Sequence, residues 1–166
     1  MSNLQPTSIL NGHSQDWHGI SVTEVSDYEL VALSVAQGHA DAFEAKYMKF
    51  LKSALPKPQQ ILSAEGGSSL WLEPETYLVM LDRNDVNSDK KLAEQFEDSG
   101  YAVLLSDGWT CLKIAGPKTK DVFDRFIPLN MRDAPVDFAA RTSAHHMSVI
   151  VACLVDGSYL LLTPRT

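Results

Sequence analysis

The chain has 166 residues, enough for one domain or for two small halves that share a core. Its formal charge of −7 and pI near 5.1, with no run of lysine or arginine, argue against nucleic acid and anionic membrane as partners and leave neutral or basic ones. No apolar run approaches the roughly eighteen residues needed to span a bilayer, and "MSNLQPTSILNGHSQDW" lacks the pattern of a signal peptide, so a cytoplasmic protein is expected.

Residues 1–17 read as a polar arm carrying His13, with His18 just beyond it. "ISVTEV" and "ELVALSVA" are rich in β-branched and aliphatic residues and predict two paired strands joined across Ser26 to Tyr28. From Ala40 to Leu55 the residues Phe43, Tyr47, Phe50, Leu51 and Ala54 recur at helical spacing, and Pro56 stops the run. "SLWL" and "TYLVML" predict a hairpin about "EPET". A second helix, Ser88 to Ser99, is expected to pack through Leu92, Ala93 and Phe96, with Ser88 capping its start and Gly100 its end.

"YAVLLS" and "WTCLKIA" predict a hairpin about Asp107-Gly108, a pair suited to the positive φ of a tight turn. Gly116-Pro117, followed by Lys118 and Lys120, raises the question of a phosphate cradle at a helix start. One glycine cannot wrap a phosphate, and Pro117 removes a donor while serving as an ordinary start signal. The lysines therefore flank a packing helix, with Val122, Phe123, Phe126 and Ile127 on one face and Lys118, Asp121 and Arg125 elsewhere. The strands "FAARTSA", "MSVIVACL" and "SYLLLTP" follow. Strands this apolar call for cover on both faces, and no helix follows the last of them. Ser148 to Leu154 and Tyr159 to Thr163 are thus expected to lie against another subunit, or against a second copy in a homodimer when the chain is expressed alone.

The two halves show the same order of events about eighty residues apart. Ser26, Asp27 and Phe43 match Ser106, Asp107 and Phe123, and "ETYLVML" answers "GSYLLL". This divides the chain into the arm 1–17, a first ββαββα unit at 18–100 and a second ββαββ unit at 101–166 in one compact domain.

Chemistry is sparse. His145 and His146 are adjacent, so in a strand they point to opposite faces and cannot easily share a metal. Cys111 and Cys153 sit in apolar surroundings without C-x-x-C spacing and read as reduced core thiols. No serine lies in a G-x-S-x-G turn, and "EPET" and "EQFED" read as solvated surfaces. Trp71 and Trp109 read as packing residues. No catalytic or metal-binding residue is expected. Arg141 is the one binding candidate, because an arginine in a small, apolar strand needs a carboxylate or an exposed edge, and a buried ion pair is the plainer reading.

Trp71-Leu72 with Pro74, Ser106-Asp107-Gly108, Gly116-Pro117, Pro128-Leu129 and Ala140-Arg141-Thr142 together resemble the gamma subunit of heterotetrameric sarcosine oxidase, over about Ile20 to Thr166. The resemblance implies an α+β fold of two related ferredoxin-like ββαββ units with mixed or antiparallel sheets, similar to the folate-binding region of the glycine cleavage T-protein. It also implies a non-catalytic assembly role in a complex that demethylates sarcosine oxidatively to glycine and passes the one-carbon unit to tetrahydrofolate. Alpha, beta and delta subunits would be the partners and would hold FAD, FMN, NAD, tetrahydrofolate and zinc, with no cofactor in this chain. The T-protein relatives imply an alternative, a stand-alone folate binder with Arg141 on the glutamate tail of the pterin. A further alternative is an interaction module of another complex. The sequence departs from the family pattern at Glu73, where Gly is usual, and at His145-His146, where Gly is common. It also stops before the family's usual C-terminal helix.

Overall fold

The computed structural model describes residues 8–65, 67–82 and 88–165, apart from the side chains of Ser88 and Asp89, so the cap expected from Ser88 lies outside the described residues. In chain order the elements are β1 (Ser14–Trp17), β2 (Ile20–Glu24), β3 (Tyr28–Val35), α1 (Ala40–Leu51), β4 (Ile61–Ala64), β5 (Gly67–Glu73) and β6 (Thr76–Asp82). There follow α2 (Ser88–Phe96), β7 (Gly100–Leu104), β8 (Trp109–Ala115), α3 (Thr119–Phe126), β9 (Ala139–Ala144), β10 (Met147–Cys153) and β11 (Tyr159–Pro164). The strands make two sheets with antiparallel pairing throughout, a six-stranded one in the order β1-β2-β8-β11-β10-β9 and a five-stranded one in the order β4-β5-β6-β3-β7.

Alternation along the strands decides which face each residue lends to which layer. Leu30, Leu78, Met80, Ile61 and Leu70 from the five-stranded sheet meet Cys111, Ile150, Ala152, Leu160 and Leu162 from the six-stranded one, so the sheets pack face to face. On the outer side of the five-stranded sheet, Val31, Leu33, Val79 and Leu81 are covered by Phe43, Tyr47 and Leu51 of α1 and by Leu92 and Phe96 of α2. On the outer side of the six-stranded sheet, Ile114, Val149, Val151, Tyr159 and Leu161 lie beneath Phe123 of α3, with Ile127 and Met131 from the segment after it. The result is four layers, helix, sheet, sheet, helix.

That layering overturns the expectation that β10 and β11 await a second subunit. Val149 to Cys153 and Tyr159 to Leu162 are all buried within this one chain. The other sheet covers one face and α3 with its following segment covers the other, so no helix after β11 is needed.

The two expected hairpins at the sheet crossings are also not formed. β2 pairs with β1 and β8, and β3 pairs with β6 and β7, so Val25 to Asp27 carries the chain from one sheet to the other. Likewise β7 and β8 lie in different sheets, and Ser106–Gly108 is a short 3-10 turn in which Gly108 has no positive φ. Within the segment read as a polar arm, Ser14–Trp17 form β1, which pairs with β2 from Ser14↔Thr23 to Trp17↔Ile20. The "EPET" hairpin is formed, with Trp71 opposite Tyr77 and Glu75 at φ 59 in the turn.

Both early helices are shorter than expected. Lys52 turns left-handed at φ 54 and ends α1 at Leu51, which leaves Ala54 exposed outside it. In α2 the buried stripe is Leu92 and Phe96, while Ala93, about 100° further round, faces solvent. Gly100 does not cap α2 but opens β7. A Cβ there would sit 2.6 Å from Ser34 O and 2.8 Å from Phe43 Cδ2, so its smallness lets the strand pass under α1.

Candidate functional site

The two crossings, Val25 to Asp27 and Leu105 to Gly108, run close together and tie the sheets to each other. Val25 N–H donates to Cys111 O at 2.8 Å, Leu105 N–H to Leu30 O at 2.8 Å, and Leu30 N–H to Ser106 Oγ at 2.9 Å. Between them lies a cavity of about 40 Å³, bordered by Glu24, Tyr28, Ser106, Asp107, Trp109 and Arg165 among others. A void of this size holds a water or two, whereas pockets for drug-sized ligands and cofactors run to roughly 300–1,000 Å³.

Glu24 closes this region. Its carboxylate accepts Leu10 N–H at 3.0 Å, Gly12 N–H at 2.9 Å and the Ser8 hydroxyl. Burial raises its pKa, but these hydrogen bonds outweigh that and hold it below the usual glutamate value. The residue thus acts as an anchor for the segment from Ser8 to Gly12.

A larger open groove of about 520 Å³ runs beside α3, lined by Ile20, Val122, Phe126 and His145 with Lys118, Asp121 and Arg125. Gly116 sets the approach of the helix. Its φ of +126° is left-handed, and a Cβ would stand 2.1 Å from Gly19 O, so only glycine fits. Helix α3 begins at Thr119, whose hydroxyl donates to Gly116 O at 2.9 Å, so Pro117 precedes the helix instead of occupying its first position. Arg132 clamps Asp121 at 2.5 Å and Asp124 at 2.6 Å, and these carboxylates raise its pKa.

His145 and His146 are not in a strand. They form the turn between β9 and β10, both at positive φ (46° and 72°), and the His145 ring lies nearly parallel to Phe126 with centroids 6.3 Å apart. Arg141, the sequence candidate, is on the edge strand β9, exposed, with Nε donating to Ser148 Oγ at 3.1 Å. No ion pair among the described residues involves it, so Arg141 is exposed on an edge strand in place of the buried pair expected from sequence. Arg141 borders neither cavity.

The thiols are shielded. Burial pushes Cys111 up to about 12 and Cys153 up to about 11, where neither is a nucleophile at neutral pH. Among the described residues no group of three or more His, Cys, Asp or Glu side chains is placed to hold a metal ion, and no helix is long and apolar enough to cross a membrane. The arrangement of the described residues offers surfaces, hydrogen bonds and packing.

Comparison with known proteins agrees on architecture. No family model matches the chain, and no curated protein does. Among solved structures, it is similar to a chain of the heterotetrameric sarcosine oxidase from Corynebacterium sp. U-96, solved in complex with pyrrole 2-carboxylate. The TM-score is 0.76 at 20% identity, over 88% of this chain and 76% of that one. At that identity the likeness shows a shared α+β fold.

Proposed function

We propose that this chain is a non-catalytic assembly subunit, of gamma type, in a sarcosine oxidase type complex. The observation that carries the reading is the fold match to a chain of a heterotetrameric sarcosine oxidase along most of both lengths. The markers from Trp71-Leu72 to Ala140-Arg141-Thr142 support it independently of the fold. In this reading alpha, beta and delta subunits are the partners and hold FAD, FMN, NAD, tetrahydrofolate and zinc, and the complex works in the cytoplasm. We also read the halves as related ferredoxin-like units. The strand orders β4-β5-β6-β3 and β9-β10-β11-β8 correspond one to one, with α1 and α3 following β3 and β8.

The test is affinity purification of the tagged chain from its own cell, with sarcosine oxidation and flavin absorbance followed in the eluate. The expected result is co-purification of flavin-bearing subunits and an activity that the chain alone lacks. Oxidation of sarcosine by the isolated chain, or recovery of the chain without flavoproteins, would overturn the reading.

A further inference from the structure

Among the described residues four strands stand at sheet edges, and three of them are protected. β4 and β9 are joined to each other's neighbourhood by the Gln60↔Phe138 bridge, Ile61 N–H to Asp137 O at 2.8 Å and Ala139 N–H to Gln59 O at 3.0 Å, and β9 also carries Arg141. β1, "SQDW", is four residues long with Asp16 exposed beside Trp17. Natural sheets blunt their edges by such means. β7, "GYAVL", is one residue longer than β1 and carries no charge, proline or register shift.

Along β7 three large apolar side chains are exposed within four residues, Tyr101 at 65%, Val103 at 55% and Leu104 at 43%. Tyr101 stands opposite Ser34 and Val103 opposite Ala32, so both project from the inner face of the sheet. Beyond β7 no further strand is paired among the described residues. The fold itself contains the matching situation in a covered form. β2 flanks β8 as β7 flanks β3, and the free side of β2 is occupied by the antiparallel strand β1.

We propose that β7 receives an antiparallel strand from another protein, an extended segment with apolar residues at alternate positions and lysine or arginine at its ends. The free edge demands a strand, because only an extended backbone pairs with it. Exposed Tyr101 and Val103 demand alternate apolar side chains. The basic ends follow from the flanks of β7, which carry exposed Glu97 and Asp98 before it and exposed Asp107 after it. Only Asp98 has a cationic partner among the described ion pairs, Lys46 at 3.8 Å. The same acids disfavour a second copy, since antiparallel self-pairing centred on Ala102 would set Glu97 against Asp107 of the other molecule. This inference deepens the assembly reading by naming a surface of contact and rests on that reading for its biological partner.

The probe is the blocked peptide Lys-Val-Thr-Val-Thr-Lys, titrated into the full chain and followed by amide shifts and hydrogen exchange. The expected result is shifts confined to β7 and β3, with β7 amides exchanging about tenfold more slowly. A peptide with glutamate in place of both lysines should bind about tenfold more weakly, and Val103→Glu should weaken binding similarly while Val103→Thr retains it. Silence at millimolar peptide, β7 amides already protected in the free chain, or a dimer abolished by Val103→Glu would overturn the proposal. Val103→Glu that still co-purifies with flavoproteins would overturn the edge while leaving the assembly reading intact. Peptide binding at β7 by a chain that recovers no flavoprotein would support the edge and sink the assembly reading.

Discussion

At the scale of single residues, glycines separate by what surrounds them. Gly116 has both a left-handed φ and the Gly19 carbonyl in its path, so Gly116→Ala should cost about 2–4 kcal/mol, from strain and displaced packing together. Gly108 has open space around a would-be Cβ and no positive φ, so Gly108→Ala should stay within about 0.5 kcal/mol. Urea denaturation of the two variants side by side checks both, and equal losses would contradict this account. Sequence reading placed the special backbone at Gly108 because Asp-Gly resembles a hairpin turn. Two successive non-glycine residues with positive φ stand instead at His145-His146, where the departure from glycine noted in the family pattern is the available signal. Tyr47 makes a similar point about polar groups. Its hydroxyl is buried beside Ser69 with no hydrogen bond of ordinary geometry, and burial drives its pKa up. Tyr47→Phe should therefore leave stability unchanged or slightly raised, because it deletes a desolvated group that lacks a partner. A loss above about 1 kcal/mol in the same assay would reveal a bond that this geometry does not have.

At the scale of elements, periodicity was a good guide wherever an element packs locally. The α3 stripe is an example: Phe123 is fully buried, with edge-on contacts to Tyr159 at 4.9 Å and Phe126 at 5.5 Å, although Phe126 itself is only half-buried. Phe123→Ala should cost about 3–5 kcal/mol in denaturation, and a loss below about 1 kcal/mol would mean that the helix is not a core element. Strand partners were another matter, because an antiparallel neighbour in sequence is the default and nothing local says that the chain changes sheets at Ser26 or Ser106. The Glu24 anchor was equally hidden, since its donors are the Ser8 hydroxyl and two backbone N–H groups more than ten residues away in sequence, which no motif marks. It makes an acid-sensitive tie. A carboxylate whose folded pKa is depressed contributes stability fully above its unfolded value, about 4.3, and loses that contribution as pH falls through the lower folded value. Glu24→Gln should thus be less stable than the parent at pH 6 and converge with it toward pH 2. Thermal melts across that range would refute the anchor if the gap stayed constant.

At the scale of the whole molecule, the apolar strands correctly announced burial on both faces, but the covering layer was assigned to a partner when it is the other sheet of the same chain. The inner core draws Leu30, Leu78 and Met80 from before Gly100 and Cys111, Ile150 and Leu162 from after it, so neither side has an inner core of its own. The crossings strengthen this dependence. β2 precedes the division yet pairs with β8 beyond it, carrying β1 on its other side, and β7 follows the division yet pairs with β3 before it, so the first part lends β1 and β2 and the second lends β7 to the other's sheet. A cut just before Gly100 leaves the first fragment without β7 and the second without β1 and β2. Each fragment would then expose an inner sheet face and a new strand edge, conditions that favour unfolding or aggregation over independent folding. The intact chain should accordingly unfold in one transition, with tryptophan fluorescence and far-ultraviolet circular dichroism coinciding. Fragments 1–99 and 100–166 should each lack cooperative unfolding alone, and should regain native-like spectra when mixed, because the exchanged strands clasp the two parts together. A fragment that folds cooperatively by itself would show that its outer helix layer suffices, and the exchange of β2 and β7 would then be decoration on two separable units.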